Sequence, residues 1–84
     1  MTKILNNATL GENIKKIRLS KGLTQEETVA QMQVLGSTIS RGTYSIIEMG
    51  ERNVFVSDLV AMQKVFNVDF AEFFEGISAS RKPN

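Results

Sequence analysis

The chain has no cysteine and no histidine among its 84 residues, which removes disulfides, thiolate nucleophiles, imidazole bases and the usual zinc ligand sets together. A metal site would have to be built from carboxylates alone, and neither a metal nor a cofactor is expected. No apolar run approaches the ~18 residues that a membrane span needs, and Met1 to Leu10 lacks the apolar stretch of a secretion signal. A cytoplasmic protein with no membrane partner is the expectation. There is also no phosphate-cradling glycine motif and no nucleophile–base pair, so the chain is not expected to be an enzyme. A domain this short buries roughly 60 to 65% of the surface its unfolded chain exposes, enough for one compact core but not for a roomy enclosed active site.

An excess of one charge is missing too. Ten basic residues face nine acidic ones, for a net charge of +1, well short of a domain that binds nucleic acid through bulk charge alone. The distribution is uneven, however. Residues 1–22 hold five of the ten cations, Lys3, Lys15, Lys16, Arg18 and Lys21, and only Glu12 among the carboxylates, which leaves one face available for phosphates.

What is present is helix punctuation. Thr9-x-x-Glu12, Thr24-x-x-Glu27 and Asp69-x-x-Glu72 each pair a capping side chain with a glutamate three positions on, so that two otherwise orphaned amides are satisfied reciprocally. Apolar spacing then predicts five helices. The first, about Leu10 to Lys21, carries Leu10, Ile14 and Ile17 on one stripe and stops at Gly22. The second, about Gln25 to Leu35, packs through Val29, Met32 and Leu35. The third, about Arg41 to Met49, starts at the cap Ser40, points Tyr44 and Ile47 inward and ends at Gly50. Ser57 is read as the cap of the fourth, about Asp58 to Phe66, with Leu59, Met62 and Phe66 on one face and Val56 stapled against Ala61. The fifth, about Phe70 to Glu75, contributes Phe70, Phe73 and Phe74. The expected organisation is a mobile arm at 1–8, an all-α domain at 9–76 and a mobile tail at 77–84.

Leu23-Thr24-Gln25-Glu26-Glu27, followed by the stretch from Ser40 through Arg41, Gly42, Thr43, Tyr44, Ser45, Ile46, Ile47, Glu48, Met49, Gly50 and Glu51 to Arg52, closely resembles the Xre-like helix-turn-helix family of phage repressors and bacterial regulators. The likeness runs from about Leu10 to Phe74. It implies a compact five-helix bundle whose third helix lies in the major groove of DNA. Two departures stand out. Gln33 to Ile39 adds about five residues to a turn that is shorter in most of the family, and Thr28 and Val29 replace a large aliphatic residue and an alanine, so the second helix is expected to pack slightly farther from the third.

A helix N-terminus aimed at DNA offers free amides and a positive dipole end to phosphate, and its first turns hold the side chains nearest the base edges. Arg41 is accordingly a candidate for guanine, whose two acceptors match its forked donors, or else a phosphate or solvent contact. Thr43 and Ser45 can each exchange one hydrogen bond with a base. Ile46 is either a contact for a thymine methyl or a packing residue. Ser40, at the helix start, is a phosphate candidate. The resemblance implies phosphate contacts for Gln25, Arg52 and Asn53, with a plain solvent-facing role as the alternative for Gln25. Lys16, with Lys15 and Lys21, is a phosphate candidate or simply part of a solvated face. By the same resemblance, Arg18 and Glu48 form a structural ion pair between the first helix and the third.

One short recognition helix reads too few base pairs to find a unique address, so a homodimer on double-stranded DNA with a pseudo-palindromic site is expected. Phe70, Phe73, Phe74 and Ile77 are more apolar surface than one short helix can bury, so part of it is expected to pair subunits, the alternative being that all three phenylalanines fill the core. A protein-interaction module, antitoxin-like or scaffold, with a regulatory protein as partner, is the competing reading.

Overall fold

The computed structural model describes residues 3–77, with side chains from Ala8 onward. Met1, Thr2 and 78–84, parts of the expected arm and tail, lie outside them. Among the described residues there are four α-helices and no strand: α1 (Lys3–Ser20), α2 (Gln25–Val34), α3 (Arg41–Glu48) and α4 (Val56–Phe66), followed by the 3-10 turn Phe70–Phe74. The all-α class stands; the fifth helix is this single tight turn.

Local signals explain most boundaries. At α2 the capping box is complete: the Glu27 amide donates to Thr24 Oγ1 at 3.0 Å, and the Thr24 amide donates to a Glu27 carboxylate oxygen at 2.9 Å. At α3 the Thr43 amide donates to Ser40 Oγ at 3.1 Å. The chain leaves α1 through Gly22 at φ +72, which allows the Leu23 amide to reach back to the Arg18 carbonyl at 3.2 Å.

Three expected caps are corrected. Helix α1 begins at Lys3, so Thr9 lies inside it and residues 3–8 are its first turns. No glycine or proline interrupts 3–10, and the backbone of Ala8 packs directly on Gly50, a contact that rewards continuing the helix past a usable cap. At α4 the N-cap is Phe55, without a side-chain bond; Ser57 falls inside the first turn, and Val56 stays 78% exposed instead of stapling. Asp69 makes no capping bond either. The Phe70–Phe74 turn is held from outside, because Asn13 Nδ2 in α1 donates to the carbonyls of Phe73 and Glu75, each at 2.8 Å.

The core gathers Ile14 and Ile17 of α1, Met32 of α2, Tyr44 and Ile47 of α3, Met62 and Phe66 of α4, and Phe73. Phe73 sits between Phe66 and Phe70, with ring centroids 6.3 and 6.4 Å away at tilted angles. Leu35, expected inside, is exposed as the C-cap of α2, and Phe70 and Phe74 are each more than two-fifths exposed.

Candidate nucleic-acid interface

Helix α3 divides lengthwise. Tyr44, Ile47 and Glu48 are buried; Arg41 and Gly42 are exposed; Thr43, Ser45 and Ile46 are half-buried. The spacing of 44, 47 and 48 is the one-face pattern of an α-helix, so fixing those three leaves the opposite face open.

The buried side is anchored by charge. Arg18 Nε donates to Glu48 Oε2 at 2.7 Å and Nη2 to Oε1 at 3.1 Å, while Nη1 takes the Leu23 carbonyl at 2.9 Å. This two-pronged pair, with side chains 9% and 3% exposed, ties α1 to α3 and to the turn that starts α2. Hydrogen bonding to Glu48 holds the guanidinium even more firmly protonated than usual. Burial by itself would raise the carboxyl's pKa, but the Arg18 fork, the neighbouring Tyr44 hydroxyl and the Gln25 amide outweigh it and hold Glu48 below the ordinary carboxylate range. The Tyr44 hydroxyl lies beside this pair without a hydrogen bond of standard geometry, and burial pushes its pKa upward.

Gln25 is turned inward, contrary to a plain solvent-facing position: its Nε2 donates to Glu48 Oε1 at 3.0 Å. An amide nitrogen carries two protons, so this bond leaves one for an outside acceptor. Two open grooves flank the start of α3. One is lined by Arg18, Leu19, Gly22 to Glu26 and Arg41, the other by Thr38, Ser40, Thr43, Arg52, Asn53, Phe55 and Asp58 among others. Arg41 and Gln25 thus share one groove, and Ser40, Thr43, Arg52 and Asn53 the other. Ser40 Oγ is already engaged, accepting from the Thr43 amide and donating to Thr43 Oγ1 at 3.1 Å. Lys16 is not brought to this surface; it lines a separate groove with Glu12, Glu72 and Glu75. Sequence reading passed over Thr38 and Asp58, which carry no motif and enter only because the turn before α3 folds back onto α4.

Among the described residues no helix is long and apolar enough to cross a membrane, and no cluster of carboxylates could hold a metal ion. A comparison with curated proteins found no significant match. The helix-turn-helix family model matches residues 14–73, a span that takes in the core, the Arg18–Glu48 pair and both grooves. With most of its length matched, the chain belongs to the Xre-type helix-turn-helix family of DNA-binding regulators.

Proposed function

We propose that the protein recognises a specific pseudo-palindromic operator as a homodimer, with α3 in the major groove of each half-site. The observation that carries this reading is the exposed first turn of α3 between two grooves, with Arg41 on one side and Arg52 and Asn53 on the other. Arg41, Thr43, Ser45 and Ile46 face base edges; Gln25, through its second amide proton, Ser40, by turning its hydroxyl proton away from Thr43, and Arg52 and Asn53 meet the phosphates on either side. Lys16 contributes at most to the long-range field.

Arg41 and Arg52 then fail differently. Arg41→Ala costs about 1 to 3 kcal/mol on the preferred site and relaxes selection at one base pair per half-site. Arg52→Ala weakens all sequences alike and flattens the dependence of log affinity on log salt by about one unit for each phosphate it no longer neutralises, twice that in a dimer. Salt titrations of both variants on selected and scrambled duplexes test this. A uniform drop in affinity for Arg41→Ala moves base reading to Thr43, Ser45 and Ile46. If neither variant matters, the regulator works through a protein partner.

Subunits pair through the exposed flanks of the 3-10 turn, where Phe70 and Phe74 lie on either side of buried Phe73. Sedimentation of the wild type at micromolar concentration is expected to show a dimer that Phe70→Ser/Phe74→Ser abolishes. A wild type that stays monomeric even on its best duplex removes the dimer.

A further inference from the structure

The connection between α2 and α3 spans six residues, 35–40, not the 33–39 expected from the sequence, because Gln33 and Val34 still belong to α2; a loop of that length is free to wander unless something holds it. Here Ser37 holds it. Its Oγ accepts the Ile39 amide at 3.1 Å and donates its own proton to Oδ1 of Asp58, in the first turn of α4, at 2.8 Å. Gln33 Nε2 takes the Ile39 carbonyl at 2.8 Å. Both backbone polar groups of Ile39 are therefore satisfied by side chains, and its own side chain is buried in the core. The next residue is Ser40, the N-cap of α3, and after it comes Arg41.

Asp58 poses a question of its own. It lines the same groove as Arg52 and Asn53, where a negative charge weakens the attraction of a phosphate. A carboxylate there needs a compensating task, and its side-chain hydrogen bond runs to Ser37.

We infer that Ser37 and Asp58 are positioning residues for DNA reading: the Asp58–Ser37–Ile39 relay sets the first turn of α3 at a fixed offset from the backbone-gripping segment 52–53, so that base and phosphate contacts fall in register. This rests on the proposed DNA-reading role of α3. Neither side chain needs to touch DNA. Directed hydrogen bonds to base edges tolerate displacements of only about 0.5 Å, whereas attraction to phosphates falls off gently with distance. Loosening the relay therefore costs selectivity and leaves general affinity in place.

The test uses the full chain and a duplex selected from a random pool, with affinities measured on selected and scrambled DNA at one salt concentration. Ser37→Ala and Asp58→Ala are each expected to lower the selected-to-scrambled affinity ratio about tenfold, the effect of roughly one mismatched base pair. Affinity for scrambled DNA stays level in the first and rises slightly in the second, which has lost a negative charge. Asp58→Asn keeps an acceptor oxygen and Ser37→Thr keeps a hydroxyl, so both retain the ratio. The double alanine variant loses no more than either single one. Both side chains are half-exposed, and unchanged helical circular dichroism confirms that the variants fold. If wild type selects a duplex but the alanine variants keep its ratio, or lose affinity on both duplexes equally, or lose their helical signal, the positioning role is overturned. It is also overturned if Asp58→Asn is as damaging as Asp58→Ala. A wild type that selects no duplex instead overturns the DNA-reading role itself.

Discussion

Glu48→Ala is expected to destabilise the domain by about 3 kcal/mol, because it strands Arg18, a residue only 7% exposed, without its counter-charge. The cost comes less from the missing attraction than from the buried cation left behind. Replacing both partners with apolar residues, as in Arg18→Met/Glu48→Leu, is therefore expected to recover much of it. Thermal and denaturant melts of the single and double variants check this, and a double variant no more stable than Glu48→Ala would count against the stranded-charge account. The same pair gives the fold an acid limb. Since the folded-state pKa of Glu48 lies below its unfolded value, the associated stability is complete above the ordinary carboxylate range, about pH 4.3. It is lost as pH falls through the lower folded-state value. Glu48→Gln, which cannot titrate, is expected to melt with a flatter dependence on pH below about 4.

The second large effect runs against helix propensity. Gly11 is in the interior of α1, where alanine ordinarily gains up to about 1 kcal/mol over glycine. A Cβ at this position would sit on the Ile47 carbonyl oxygen and 2.7 Å from that of Glu48. Those atoms belong to the backbone of α3 and cannot turn aside, so Gly11→Ala has to push α1 and α3 apart and is expected to cost about 3 kcal/mol. Gly42, in the first turn of α3, is the control: a Cβ there meets nothing closer than Ser40 Oγ at 4.0 Å, and Gly42→Ala is expected to be neutral or mildly stabilising. Melting temperatures that move in the same direction for both substitutions would refute the close-approach explanation.

These two glycines show where sequence reading reaches its limit. Both are a single symbol inside a helical pattern, and only the neighbour across the interface distinguishes them. Local chemistry was legible: the Thr24 box, the Ser40 cap and the glycine stops after α1 and α3 depend on residues within a few positions of one another. The fourth and fifth helices were less so. Ser57 and Asp69 are good caps in isolation, but α4 starts where Val54 and Leu59 reach the core, and the Phe70–Phe74 turn is held by Asn13 from sixty residues away. The same holds for the start of α1, where Ala8 against Gly50 outweighs Thr9. At the candidate interface, residue types on α3 suggested their chemistry directly. The inward turn of Gln25 and the bond from Ser37 to Asp58 did not, because each joins residues more than twenty positions apart and neither belongs to a motif.

If α3 reads an operator as proposed, its lengthwise division bears on how such a regulator changes its address. The residues that keep the helix in place, Tyr44, Ile47 and Glu48, are buried, while 41, 43, 45 and 46 are exposed or half-buried. Substitutions at exposed Arg41 are therefore close to neutral for stability, within about 0.5 kcal/mol, and those at half-buried 43, 45 and 46 are expected to cost less than changes to the buried set. After gene duplication, one copy could exchange its operator for another in a few steps without passing through an unfolded or rapidly degraded intermediate. The chain works as an interchangeable key blank: the bow is cut once, by the Arg18–Glu48 lock and the Gly11 contact, and the teeth can be filed independently.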